Sequence, residues 1–186
     1  MLEYIAMLDR ELLLLINGFN NQVLDIIMVF VSSKLGWMPL YLLLLYIIIL
    51  DYKKKSWLVL VIVALVVLIA DQTSVHLFKN VFQRLRPCYE EDLLGLLNLV
   101  KACGGKYGFV SSHAANSFAV ASFIILLLRD KHWWIWPVMS IYAILIIFSR
   151  VYLGVHYPTD VFVGAILGII IGVGCYYLFN FLNKRV

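Results

Sequence analysis

The chain has 186 residues, of which 63% are hydrophobic and 14% charged, with a formal net charge of +4. Soluble domains carry about 25% charged residues, so a water-soluble globule, a disordered chain, a collagen-like fibre and a disulfide-dense miniprotein are excluded, and lipid is the expected solvent. Nucleic acid is not an expected partner, because much of the small basic excess sits in short clusters beside apolar runs rather than on a basic face.

Met1-Leu2-Glu3-Tyr4 lacks the basic region of a cleaved signal peptide, and Asp9, Arg10 and Glu11 interrupt the apolar stretch that follows. Charges are costly inside hydrocarbon, so 2–18 reads as an interfacial amphipathic helix; whether 2–33 spans the membrane or lies on it stays open. A crossing helix needs about 20 mostly apolar residues. The stretch 35–50 approaches that length and follows the apolar run 23–31, with a kink expected where Ser32, Ser33, Lys34 and Gly36 intervene. Four more apolar runs follow at 57–78, 114–128, 133–148 and 161–182. The expected fold is an all-α membrane helix bundle in one domain over 1–186. It would have five to six transmembrane helices, an N-terminal interfacial helix and a short helical loop outside the membrane at 79–112.

Lys53-Lys54-Lys55, the pair Arg129 and Lys131, and the pair Lys184 and Arg185 all fall on one face when the spans are counted. The positive-inside rule makes that face cytoplasmic and puts 79–112 outside. Lys79, Arg86, Ser111, Ser112, His113, Ser149, Arg150, His156 and Asp160 all fall at the opposite face. Three cations, two imidazoles and a carboxylate from three stretches suit phosphoryl transfer. Fixed cations can clamp a phosphate. One imidazole can attack phosphorus if a carboxylate orients it, and a second can protonate the leaving oxygen. Asp160 follows His156 by one helical turn, and the helix start at Ser111-Ser112-His113 adds backbone donors.

Lys79-x6-Arg86-Pro87, Ser111-Ser112-His113 and Ser149-Arg150-x5-His156-x3-Asp160 together resemble the three-part signature of the type-2 phosphatidic acid phosphatases. Bacterial acid phosphatases and vanadium haloperoxidases share that superfamily. The middle part departs from the family's Pro-Ser-Gly-His, reading Val110-Ser111-Ser112-His113. The missing glycine puts a close backbone approach to phosphate in question. The resemblance implies that His156 is the nucleophile forming a phosphohistidine, that Asp160 holds it, and that His113 protonates the leaving group. Lys79, Arg86, Ser111, Ser112 and Arg150 would bind the phosphate, with no metal and no cofactor. The implied enzyme is a lipid phosphatase of a bacterial cytoplasmic membrane with its site facing the periplasm or cell exterior. Its substrate would be undecaprenyl diphosphate or lipid A, with phosphatidylglycerol phosphate or phosphatidic acid as alternatives. Haloperoxidase chemistry and a non-catalytic lipid-binding protein are the rival readings.

Other residues read as structural. Asp71, Gln72 and Ser74 are expected to hydrogen-bond between helices, and His132 to be a solvated loop residue. Gly164, Gly168 and Gly172 recur every fourth residue, as helices in close contact require. Cys88 and Cys103 share the outer loop and could form a disulfide.

Overall fold

The computed structural model describes residues 2–185, with the backbone alone for Leu2. It is a helix bundle with no strand among the described residues; an isolated antiparallel bridge pairs Leu85 with Tyr107. Helices α1 (Leu2–Gly18) and α2 (Gln22–Val31) meet at 116°. On α1, Tyr4, Ile5, Leu8, Leu12 and Leu15 face outward, while Asp9, Leu13 and Asn17 are buried. Those three recur every four residues and so form one inward stripe. Asn17 fixes the helix in place: its amide donates to Tyr152 O at 2.7 Å and to Asn98 O at 3.0 Å, and its oxygen accepts from Asn98 N at 2.8 Å.

The expected kink after 31 is a 3-10 turn, Leu35–Trp37, leading into α3 (Met38–Tyr52). The chain turns at Lys53, whose φ is +48°, and enters α4 (Ser56–Thr73). Ser56 locks that turn, its hydroxyl donating to Lys53 O at 2.7 Å and Ile48 O at 3.2 Å. A π-helical turn, Ser74–Lys79, and a single helical turn, α5 (Asn80–Phe82), extend α4 outward. The 79–112 connection then carries only two 3-10 turns, Pro87–Tyr89 and Glu91–Leu93. Three helices complete the chain: α6 (Ser112–Leu128), α7 (Ile135–Tyr152) and α8 (Pro158–Asn183). By length and composition, Leu35–Phe82 (holding α3 and α4), α7 and α8 are able to cross a bilayer; α6 is apolar but shorter. Trp133 and Trp134 lie in the turn before α7, so that helix starts later than expected and runs on to Tyr152.

The three basic clusters gather at one end. Lys55 Nζ donates to Asn183 O at 3.0 Å, and Lys131 and His132 both meet Asp51, at 3.4 Å and 2.9 Å. His132 is thus not a free loop residue: its Nε2 bonds the Asp51 carboxylate and ties the α6–α7 turn to α3.

Helices α6 and α8 form the closest pair. A side chain at Gly164 would put its Cβ 2.8 Å from Ser111 O and 3.0 Å from Ala114 Cβ. At Gly168 and Gly172 the Cβ would run into the backbone oxygens of Ala115 and Ala119. The glycine stripe therefore packs within the chain, where backbone faces backbone. Gly168→Val should lower the thermal midpoint in detergent by several degrees, corresponding to about 1–3 kcal/mol of overpacking or more. An unchanged midpoint would mean that α6 and α8 separate freely.

Candidate active site

The site lies at the end of the bundle opposite the basic clusters, where the starts of α6 and α8 meet. Ser111 caps α6, its hydroxyl accepting from Ala114 N at 3.5 Å, and its own N–H donates to Asp160 O at 3.0 Å. That bond ties the helix start bearing His113 to the one bearing Asp160. His156 precedes α8 and Asp160 is its third residue, and both side chains are essentially inaccessible. One Asp160 oxygen, Oδ2, accepts from Tyr157 N at 3.1 Å and faces His156 Nδ1 at 3.4 Å.

The second ring nitrogen fixes the protonation state. Arg86 Nη1 sits 3.1 Å from His156 Nε2. A guanidinium can only donate, so Nε2 is the acceptor, and the single ring proton of the neutral imidazole is on Nδ1, toward Asp160. Burial, followed by the charges of Arg86, Arg150 and Lys79, holds the His156 pKa well below the ordinary 6.5. A neutral imidazole therefore turns an unprotonated Nε2 toward three cations, accepting from one of them, Arg86. Those same cations surround His113, which is exposed.

The cations are held by different devices. Arg86 lies beside the Leu85–Tyr107 bridge, with Arg86 N donating to Lys106 O at 3.1 Å and Gly108 N to Arg84 O at 2.8 Å. Gly108 is required by space: a Cβ there would sit 3.0 Å from Asp160 Oδ2 and 3.1 Å from Arg86 Cγ. Burial lowers the Arg86 pKa and the nearby Asp160 charge opposes that shift. Cys88 and Cys103 form a bonded pair in the same loop, with Cα atoms 6.5 Å apart. That separation lies within the range a disulfide can bridge.

Lys79 closes the π-helical turn, a device often found at functional positions. Its Nζ donates to Ser112 Oγ at 2.6 Å, and Ser112 Oγ also meets Ser74 Oγ at 2.6 Å. Ser112, where the family has glycine, thus holds the lysine and joins α6 to the extension of α4. Ser74 makes the expected interhelical bond, whereas Gln72 points out of the bundle. Arg150, at the end of α7, donates from Nη1 to the Ser32 hydroxyl, and its buried Nε has no partner among the described residues.

Residues that the signature does not name complete the site. Arg84 Nη1 donates to the other Asp160 oxygen, Oδ1, at 2.9 Å and to Thr159 Oγ1 at 2.7 Å, while Nη2 donates to Asp9 Oδ2 at 2.7 Å. Asp9 also accepts from Thr159 N at 2.8 Å and from the Thr159 hydroxyl. In the sequence, Arg84 shows only as a second arginine near Arg86, and Asp9 only as an awkward charge in an amphipathic helix.

A cavity of about 480 Å³ runs from the site down between α3, α4, α6 and α7. Ser112 and His113 stand at its mouth. Its wall is mostly apolar but includes Asp71, Asn116 and the Tyr41–Tyr142 hydroxyl pair, 3.0 Å apart. Asn116 Oδ1 is buried without a partner among the described residues.

The chain resembles known proteins along its whole length. A family model described as "PAP2 superfamily" matches residues 55–184. A lipid A 4'-phosphatase of Porphyromonas gingivalis is 36% identical, covering 99% of this chain and 78% of that protein. An undecaprenyl-diphosphatase of Sulfolobus acidocaldarius is 33% identical over 85% of this chain and 72% of its own length. Among solved structures, LpxE of Aquifex aeolicus superposes with a TM-score of 0.64 at 28% identity, covering 90% of this chain and 94% of that one. A phosphatidylglycerolphosphate phosphatase of Bacillus subtilis superposes with a TM-score of 0.69 at 20% identity, covering 98% and 88%.

Proposed function

The chain belongs to the PAP2 superfamily as a membrane lipid phosphatase, and from that premise we propose that it removes phosphate from an acylated lipid, lipid A foremost, through a phosphohistidine on His156. The His156 geometry carries this reading: Nδ1 toward Asp160, and an unprotonated Nε2 turned to the cations, accepting from Arg86. Nε2 attacks phosphorus and the bond from phosphorus to the lipid oxygen breaks. His113, protonated once the negative charge of the bound phosphate offsets the surrounding cations, gives its proton to that oxygen. Water then attacks the phosphohistidine with His113 as base, and inorganic phosphate leaves. Lys79, Arg86 and Arg150 spread over the equatorial oxygens where charge develops, with the Ser111 and Ser112 hydroxyls and the amides at the start of α6 as further donors. The buried Arg150 Nε is a donor still without an acceptor.

The cavity below the site supports a lipid and favours acyl chains. Asp71, Asn116 and the tyrosine pair line it within a few helical turns of His113. An acyl chain brings ester, amide or hydroxyl groups near its head group to meet them, whereas a polyprenyl chain would leave the buried Asn116 Oδ1 unpaired at a cost. The relatives named for lipid A are also slightly more similar than the one named for undecaprenyl diphosphate. The positive-inside rule puts the basic end in the cytoplasm and the site at the outer surface of the cytoplasmic membrane.

Phosphate release from lipid A, undecaprenyl diphosphate and phosphatidylglycerol phosphate, each in detergent with and without EDTA, tests the reading. Lipid A should be turned over fastest, with EDTA without effect because side-chain cations do the clamping. Asn116→Leu should slow lipid A several-fold and spare the polyprenyl substrate. Release from undecaprenyl diphosphate alone would sink the acyl-chain reading, and release from none of the three would sink the phosphatase reading.

A further inference from the structure

The family signature leaves the residues between Lys79 and Arg86 unspecified and says nothing of the N-terminal helix. Both contribute to the site. Asp160 has two oxygens with different partners. Oδ2 faces the His156 imidazole and takes the Tyr157 amide; Oδ1 takes the Arg84 guanidinium at 2.9 Å. Arg84 is held in turn from three sides. Asp9 accepts from its other arm at 2.7 Å, Thr159 accepts beside Asp160, and the Tyr157 ring lies 4.1 Å beneath its guanidinium carbon. Asp9 itself is 2% exposed and clamps the first turn of α8 through both Thr159 groups.

From this arrangement we propose that Arg84 and Asp9 are positioning residues for the nucleophile: α1 holds Arg84, Arg84 holds Asp160, and Asp160 holds the His156 tautomer. The inference rests on the phosphatase reading for its kinetic consequences and on geometry alone for the rest. A buried carboxylate with a hydrogen bond on only one oxygen is free to rotate about its terminal torsion. Arg84 removes that freedom and supplies a counter-charge. Asp9 has a reciprocal role, since a lone Arg84 could swing toward water (its side chain is 30% exposed). Outer partners of this kind, by analogy with metal ligands, contribute about 10–100-fold. The groups facing Asp160 are Arg84 and Arg86 from the connection, His156 and Tyr157 from the α7–α8 turn, and Lys79 from the π-helical turn after α4. With Arg84 gone, Arg86 and Lys79 remain on the side of the phosphate, so the loss is graded.

The experiment compares Arg84→Met, Arg84→Lys and Asp9→Asn in the full-length protein, with thermal melts as the folding control. Arg84→Met should lower kcat about 10–100-fold with KM nearly unchanged. The acid limb of its kcat/KM profile should move toward neutral pH, because Asp160 accepts a proton more readily without its counter-charge. Arg84→Lys should recover most of kcat, and Asp9→Asn should fall between. In an Asp160→Asn background, Arg84→Met should add nothing further, as expected for residues acting through one another. Substrate-free NMR of 15N-histidine-labelled protein reads the same chain without turnover. The His156 Nδ1–H resonance, assigned by its absence in His156→Ala, should be lost in Arg84→Met and kept in Arg84→Lys. An intact resonance in Arg84→Met, a wild-type kcat, or a full additive loss in the Asp160→Asn background overturns the proposal. A wild-type protein that releases no phosphate refutes the phosphatase reading instead and leaves the resonance to decide the positioning chain.

Discussion

Alanine at His156 should leave a folded protein that releases no phosphate from lipid and traps no labelled phosphate on the chain. Nε2 is the ring nitrogen facing the cations, and the Nδ1–Asp160 contact and burial keep it unprotonated. His113→Ala should behave differently. Loss of a general acid costs about 10²–10⁴-fold, and a substrate with a good leaving group such as p-nitrophenyl phosphate should recover much of that loss. The same aryl substrate should not rescue His156→Ala. Wild-type turnover by the His156 variant would overturn the nucleophile assignment. The pH dependence carries a sign. Because the folded pKa of His156 lies well below 6.5, the nucleophile is not protonated as pH falls through that value, and no acid limb near 6.5 arises from it. The unfolded chain does take up a proton there, so this group costs stability as pH drops below about 6.5. His156→Ala should flatten that part of a stability–pH curve.

Arg86→Ala should lower kcat by about 10²–10³-fold, the loss seen on removing one donor aimed at developing charge. Arg86 has two connected roles. In the resting site its Nη1 donates to the His156 lone pair at 3.1 Å, which selects the tautomer. In the proposed reaction that arm is released to the phosphate as Nε2 turns toward phosphorus. Arg86→Lys should restore little, because an ammonium lacks the planar fork that reaches both positions. The measurement is kcat and KM together with phosphohistidine trapping. A rise in KM at constant kcat would show that Arg86 binds the ground state and the transition state equally.

What the sequence made legible followed from local spacing. His156 and Asp160 are one turn apart, Ser111 to His113 open a helix, and Lys79 and Arg86 flank a proline-marked exit, so parity alone brought them to one face. The hydrophobic runs located α4, α6 and α8 to within a few residues. What stayed hidden depends on long-range pairing. Arg84 reaches Asp9 and Asp160 across 75 and 76 residues, and Arg150 reaches Ser32 across 118. Period and composition carry no record of such pairs. Asp9 was misleading for a physical reason: a charge in an apolar helix reads as a penalty until its partner is known. Ser112 reads as the loss of a glycine, yet its hydroxyl is what holds Lys79.

The clamp around Thr159 has a consequence for how the protein comes into being. Asp9 is made near the start of synthesis, and its partner Thr159 emerges 150 residues later with the last helix. Until α8 is threaded into the bilayer, Asp9 has only Arg84 to answer it, and the chain lacks both His156 and the Asp160 that faces it. On the phosphohistidine mechanism proposed above, a stalled or truncated product is no weak hydrolase loose in the membrane. The proposed site is complete only when the final segment docks and the first helix meets it.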